Sequence, residues 1–322
     1  MDYTTLGRTG LRVSVAGLGC GGFSRLGLGT GGSEAEAIAI VHLALDHGVN
    51  LFDTAAAYGT EEVLGKALKA APRDSVVICT KAPFSVSNPR SSAASAVASL
   101  DESLRRLDTD YIDVYQLHGV APAAYDHALA ELAPALLRER DKGKFRFLGI
   151  SETAPNDLDH AMLRRAAVDG VWDVAMVGFS MMHQNARELF FPLSRRNGIG
   201  TLLMFAVRNI FSQPARLAAT LRELAGRGEV PAWTADDPLG FLVHDGGASS
   251  IPDAAYRFVR HEPGVDVVLF GTGNPEHLRS NIASLLKPPL PEADLRKLRE
   301  LFGRLVGVGL DAPHLTRAGM VR

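Results

Sequence analysis

Four side chains able to move or stabilise a proton lie where short apolar runs end. Gly48-Val49-Asn50-Leu51-Phe52 leads into Asp53, and the phenol Tyr58 follows five residues later. Ser75-Val76-Val77-Ile78-Cys79-Thr80 leads into Lys81, and Tyr111-Ile112-Asp113-Val114-Tyr115-Gln116-Leu117 leads into His118. Taken singly, each has an ordinary explanation. Asp53 reads as a helix cap, Lys81 as a surface charge, His118 as a satisfied core histidine and Tyr58 as a loop residue. Taken as a set, Asp, Tyr, Lys and His are the groups of general acid–base chemistry. A parallel α/β protein collects such groups at the carboxyl ends of successive buried strands.

The elements that must position them alternate along the chain. Strand-like runs are expected at 13–18, 50–52, 76–80, 112–117, 147–150, 173–179, 200–205 and 265–270. Helical spacing is expected at 34–47, 61–70, 91–107, 125–142, 156–168, 186–197, 253–261 and 275–285, with Gly48 stopping the first helix. The strands are apolar throughout, as strands covered on both faces are. Eight such units in roughly 250–300 residues fit a closed (β/α)8 TIM barrel better than an open doubly wound sheet. An open sheet would carry a phosphate-binding glycine fingerprint opening a helix. Gly17-Leu18-Gly19-Cys20-Gly21-Gly22 is only a loose version, with no helix directly after it. It reads as a tight loop bringing backbone close to a ligand, which places Gly21 and Gly22 with a binding site. Residues 1–12, with the turn Gly7-Arg8-Thr9-Gly10, read as an N-terminal β-hairpin closing the barrel bottom. The passage 206–250, rich in Gly, Pro and charge, reads as a long irregular loop after strand 7. No composition break divides the chain, so 1–322 is expected to be a single barrel domain.

Composition excludes several classes. Almost half of the 322 residues are apolar, and the formal net charge is −2, which leaves no basic field for nucleic acid or acidic membranes. No run of eighteen apolar residues and no signal-like N-terminus appears, so a cytoplasmic protein off the membrane is expected. Cys20 and Cys79 are the only cysteines, too few for a disulfide framework or a structural zinc site, and they read as buried thiols; no metal is expected.

The residues that carry these signals resemble an aldo-keto reductase over almost the full chain. The resemblance runs through Tyr3-Thr4-Thr5-Leu6-Gly7-Arg8-Thr9-Gly10, Phe52-Asp53-Thr54-Ala55 with Tyr58-Gly59, and Glu62-Val63-Leu64-Gly65. It continues through Thr80-Lys81, Gln116-Leu117-His118, Leu148-Gly149-Ile150-Ser151 and Phe270-Gly271-Thr272-Gly273-Asn274-Pro275-Glu276-His277-Leu278 with Asn281. It implies a (β/α)8 barrel with a nicotinamide cofactor across its C-terminal mouth, and reduction of carbonyls. A carbonyl that accepts hydride becomes an alkoxide and needs a proton. Tyr58 suits that role if the Lys81 ammonium stabilises its anion and Asp53 keeps Lys81 charged. Neutral His118 would donate to the carbonyl oxygen and orient it. The resemblance assigns the four residues these same roles.

The resemblance also places cofactor residues. Ser151 matches the carboxamide site, whereas Glu152 stands where asparagine is usual and Met176 near where glutamine is expected. A carboxylate accepts from the amide but cannot donate to its oxygen. Phe179 resembles the aromatic that stacks on the nicotinamide, with an ordinary core role equally open. Thr272, Glu276 and Asn281 are implied at the adenosine end, beside a helix start able to hold phosphate. Gly271 and Gly273 stand where bases usually meet the 2′-phosphate of NADP(H), and His277 where an arginine often sits. NAD(H) is therefore as open as NADP(H), unless Arg279, Arg208 or Arg216 compensates. Phe23, Phe84 and Trp233 are candidate apolar walls, and Asp311 and His314 are candidates to reach the mouth from the tail. The expected function is reduction of a small aldehyde or ketone, with Tyr58 as acid. Its alternatives are an NAD-dependent aldose dehydrogenase running in the oxidative direction, and a nicotinamide-sensing binding protein with little turnover. A barrel isomerase or lyase on phosphorylated substrates is a third alternative. Substrate and oligomeric state stay open.

Overall fold

The computed structural model describes residues 1–83 and 92–310. Ten strands are formed: β1 (Tyr3–Thr5), β2 (Arg12–Ser14), β3 (Ala16–Gly19), β4 (Leu51–Asp53) and β5 (Val77–Pro83), then β6 (Ile112–Val120), β7 (Phe145–Glu152), β8 (Val174–Gly178), β9 (Gly200–Met204) and β10 (Val267–Phe270). The last eight close into a parallel barrel in the order β10-β3-β4-β5-β6-β7-β8-β9, with the helices around it. This is the (β/α)8 architecture expected from the sequence.

The hairpin β1–β2 is antiparallel and seals the amino end of the barrel. Its Leu6, Leu11 and Val13 pack into the interior against Leu51, Val77, Val114, Val174 and Val267. Each such side chain contributes about 1.5–3 kcal/mol by leaving water. Gly7 has φ +48°, and a Cβ there would lie 2.2 Å from the Gly200 nitrogen, so only glycine lets the turn sit this close to β9. The backbone N–H of Arg8 donates to the Gly198 carbonyl at 2.6 Å, and its guanidinium pairs with Asp173 at 3.2 Å.

Four expectations about elements change. The single strand expected at 13–18 is two, because Asn50 intervenes. Its Oδ1 accepts from the Ser14 N–H at 2.6 Å and its Nδ2 donates to the Arg12 carbonyl at 3.0 Å, handing the chain from hairpin to barrel. The helix expected at 186–197 is split into Ala186–Leu189 and Phe191–Arg196, since Pro192 cannot donate into a continuous helix. The helix expected at 156–168 shrinks to Ala161–Ala166, and His160 before it is left-handed at φ +51°. The passage expected to be irregular contains the helix Pro214–Gly226, which buries Leu217, Leu221 and Leu224 at helical spacing. A further helix, Glu292–Phe302, follows the last one expected.

Candidate active site

The proton-transfer set converges at one end of the barrel. Asp53 is the last residue of β4, Lys81 lies in β5 and His118 in β6, all toward the carboxyl ends of parallel strands. Lys81 is fully buried, and its Nζ donates to both Asp53 oxygens and to the Thr54 carbonyl, each at 2.8 Å. All three ammonium protons are thus placed. Tyr58 ends a 3-10 turn, Ala56–Tyr58, closed by Gly59 at φ +71°. That turn folds the phenol back over the barrel, where its ring centroid is 5.1 Å from Lys81 Nζ and its hydroxyl is 3.3 Å from His118 Nε2. Gly21 is glycine because a Cβ there would meet the Tyr58 ring at 2.4 Å. The Cys20 N–H donates to the Asp53 carbonyl at 2.7 Å, tying the end of β3 to the end of β4.

Electrostatics make this a neutral pair beneath a phenol. Burial opposes the charge on Lys81, but Asp53, and after it Tyr58, holds its pKa above the ordinary lysine value. Burial raises the Asp53 carboxyl, with Lys81 and then Gln116 drawing it down. Burial also raises Tyr58; Lys81 lowers it and Asp53 raises it again. The phenol is half-buried at the mouth, so solvent tempers the burial contribution. The sequence reading expected Lys81 to make Tyr58 more acidic. The net direction is upward because burial of the phenol outweighs the Lys81 charge, which Asp53 at contact distance also offsets. Tyr58 therefore rests as a fully protonated phenol. Burial likewise pushes both thiols, Cys20 and Cys79, far from ionisation.

The implied cofactor residues divide. Ser151 and Glu152 end β7, but Glu152 is turned into protein. Its Oε1 accepts from the Gly178 N–H at 2.7 Å and its Oε2 meets His160 Nδ1 at 2.8 Å. Met176 faces the barrel interior among Val174, Leu202 and Val267. Phe179 does not reach the mouth, which corrects the stacking role drawn from the resemblance. Its ring is fully buried, stacked on Phe258 at 5.7 Å and edge-on to Phe191, so neither face is open to a ligand. An aromatic that does stand at the mouth is Phe205, directly after β9. It is half-buried with φ +72°, and the Arg208 guanidinium lies 4.6 Å from its centroid. A non-glycine residue at positive φ straight after an apolar strand is the signal, but it is invisible in sequence. Arg208 also lies 5.4 Å from the Phe23 ring and 4.0 Å from a Cβ built on Gly22, so Gly22, Phe23, Phe205 and Arg208 form one rim. Trp233 turns instead toward Phe241 and Lys297. Phe84, Asp311 and His314 lie outside the described residues.

At the other side of the mouth, Gly273 is locked. A Cβ there would lie 2.2 Å from the Gly27 Cα, because the turn Arg25–Thr30 packs backbone to backbone on the loop after β10. Gly271 faces the Gly19 carbonyl, with 3.1 Å to a built Cβ. Asn274 caps the helix Pro275–Leu285, accepting from the N–H groups of Glu276 at 2.8 Å and His277 at 3.2 Å, and its own N–H goes to Thr272 Oγ1 at 3.0 Å. The helix-start donors expected to meet a phosphate are thus engaged by protein. Glu276 and His277 are exposed, and Asn281 is half-buried on the same helix.

Sequence reading missed two histidines behind Glu152. His160 bridges Glu152 to Asn185 Oδ1 at 3.1 Å, and the His183 ring lies 5.2 Å from it. His183 Nδ1 accepts from the Gly307 N–H at 3.2 Å, which assigns the proton to Nε2. Burial, and then the charge of His160, lowers His183 to about 3. A histidine depressed in the fold gives stability that is present above its unfolded pKa and lost as pH falls toward the folded one. Between pH 6.5 and 4 this costs at most about 3 kcal/mol. His183→Asn, which keeps an acceptor for Gly307, is expected to flatten the fall in unfolding free energy from pH 7 to 4. Denaturant titrations with the same pH slope in both proteins would remove this account.

Three comparisons bear on the chain. The model of the family described as the Aldo/keto reductase family matches residues 17–302. The chain is 30% identical over 298 residues to aldo-keto reductase YhdN of Bacillus subtilis (strain 168), covering 87% of each. It is 38% identical over 212 residues to L-galactose dehydrogenase of Arabidopsis thaliana, covering 63% of this chain and 64% of that one. In fold it is similar to the holo form of an aldo-keto reductase from Bacillus halodurans. There the TM-score is 0.71 and the identity 24%, over 94% of this chain and 96% of that one.

Proposed function

The chain belongs to the aldo/keto reductase family, and from that premise we propose that it reduces a small aldehyde or ketone to the alcohol, with Tyr58 as the proton donor. The observation that carries this reading is the fully buried Lys81, held by Asp53 and Thr54 at 2.8 Å under a phenol 3.3 Å from His118. A nicotinamide held at this mouth would supply the hydride for the carbonyl carbon. The oxygen gains charge as that bond forms, and the Tyr58 hydroxyl delivers its proton there. His118 Nε2, on the open side of the phenol, orients the same oxygen. The Lys81 ammonium, kept charged by Asp53, stabilises the phenolate left behind. Phe205 offers an apolar face for the nicotinamide, and Arg208 a cation for its phosphates beside Gly22. Glu152, with both oxygens engaged, braces β7 against β8 and leaves the carboxamide to Ser151 and nearby backbone.

A second reading, NAD-linked oxidation of an aldose, is favoured by the Gly273–Gly27 contact. No side chain fits at 273 while the turn Arg25–Thr30 keeps its place, so no cation can stand there to select a 2′-phosphate. The partial likeness to a sugar dehydrogenase points the same way. Calorimetric titration with NADPH and NADH in parallel, followed by turnover with aldehydes and with aldoses, tests both. NADH is expected to bind within about threefold of NADPH, a difference under 1 kcal/mol. NADPH binding tenfold tighter would remove the NAD reading. Tight binding without turnover on either substrate class would turn the proposal toward a nicotinamide-sensing protein.

A further inference from the structure

Gln116 is fully buried inside the barrel, and among the described residues neither polar atom of its amide has a partner at hydrogen-bond geometry, although Gln116 is near enough to Asp53 to draw its carboxyl down. Buried amides are nearly always bonded, and leaving one unbonded is costly. A side chain kept in that state next to reacting groups calls for an explanation. The surroundings give one. Gln116 stands in register with Lys81 on β5 and with Gly149 on β7. Gly149 makes room for it, since a Cβ there would lie 2.6 Å from Gln116 Cγ. Lys81 has already committed its three protons to Asp53 and Thr54, so it has none left for the Gln116 oxygen. Asp53 accepts the Lys81 ammonium on both oxygens and retains acceptor capacity, and Gln116 already draws its carboxyl down. Resting hydrogen bonds at catalytic sites are often long and tighten when the site is loaded.

We propose that Gln116 is a positioning residue whose amide N–H group supports the Asp53 carboxylate from below and so fixes the Asp53–Lys81 pair under Tyr58. The proposal rests on the reductase reading for its effect on rate, but not for its effect on Asp53. The ionisable groups around the pair are Tyr58 above it, Cys79 on β5, Cys20 after β3 and His118 on β6. Both thiols are held protonated. A donor removed from Asp53 makes its carboxyl easier to protonate, and protonation releases Lys81. The acid limb of the reaction therefore moves to higher pH.

Gln116→Met keeps the volume and removes the amide. Its kcat is expected to fall about tenfold, with KM and cofactor Kd within twofold, and the acid limb of kcat is expected to move up by about one pH unit. Gln116→Glu, which sets a like charge against Asp53, is expected to move that limb further. A separate measurement needs no turnover: carbon NMR titration of the aspartate carboxyls, with Asp53 assigned from Asp53→Asn. The Asp53 midpoint is expected to rise in Gln116→Met. An unmoved midpoint overturns the proposal, whether or not the wild-type protein turns over. An unmoved pH profile with only a change in melting temperature overturns it too, by leaving Gln116 a packing role. Wild-type protein that oxidises no reduced nicotinamide with any carbonyl would count against the reductase reading alone, and the carboxyl titration would still decide Gln116.

Discussion

Tyr58→Phe is expected to bind nicotinamide as the wild-type protein does and to reduce carbonyls about 10²–10⁴-fold more slowly, the range that a positioned general acid supplies. The substitution removes one atom and little else. The ring keeps its packing over Gly21 and its distance of 5.1 Å from Lys81 Nζ, and what is lost is the hydroxyl with its 3.3 Å contact to His118 and its interaction with Lys81. Stability should change by less than about 1 kcal/mol, as for a half-exposed hydrogen bond. The pH dependence gives an independent sign. Reduction uses the protonated phenol, so activity is present below the Tyr58 pKa and lost above it. Burial raises that pKa above 10.0, with Lys81 opposing and Asp53 adding. Wild-type reduction should therefore hold through neutral pH and fall only beyond the ordinary tyrosine range. Oxidation, which needs the phenolate, should rise with pH over that interval. Single-turnover oxidation of bound NADPH by an aldehyde, followed by stopped flow, checks both. A Tyr58→Phe rate within threefold of wild type, or one that keeps the alkaline limb, would remove Tyr58 from the proton transfer.

The convergence of Asp53, Tyr58, Lys81 and His118 was legible because strand ends advertise themselves. An apolar run stopping at a charged residue is a local pattern, and parallel closure brings such stops to one rim. The barrel was legible for the same reason, since eight apolar runs alternate with helical spacing. What stayed hidden depends on approach between segments distant in sequence. Phe179 and Phe205 both follow strands, yet Phe179 packs on Phe258 and Phe191 while Phe205 stays half-buried beside Arg208. Glu152 read as an unusual cofactor ligand because nothing in a linear chain shows His160 eight residues later in a left-handed conformation beside it. Gly273 read as a missing cation, whereas its cause is the Gly27 backbone against it. The helix Pro214–Gly226 was masked by flanking Gly, Pro and charge, although its buried leucines kept their spacing. Composition averaged over a long segment conceals periodicity within it.

Lys81→Met is expected to destabilise the fold by about 3–5 kcal/mol near pH 8, because it leaves Asp53 buried with its charge unmatched. Asp53 and Lys81 side chains are 5% and 0% exposed, so water cannot replace the lost partner without opening the barrel. The sign with pH follows from linkage. Without Lys81 the folded pKa of Asp53 rises further above its unfolded value, so the folded state binds the proton more readily. Stability of the variant is then greatest at acid pH and falls as pH climbs through that raised pKa. The double substitution Asp53→Asn with Lys81→Met removes both charges and should recover most of the loss, although neither protein should turn over. The cycle separates two accounts of the pair. If its purpose is stability, the neutral double variant stays well below wild type. If the pair is kept for chemistry, that variant matches or exceeds wild type, since paired buried charges rarely out-stabilise a neutral replacement. The second outcome is the expected one, because two charges at 2.8 Å in an apolar barrel are otherwise a burden on the fold. Denaturant unfolding of all four proteins at pH 5 and pH 8 decides it. A Lys81→Met loss under 1 kcal/mol at both pH values would mean that Asp53 is not charged in the fold, and Lys81 would then have no counter-ion to keep it under Tyr58.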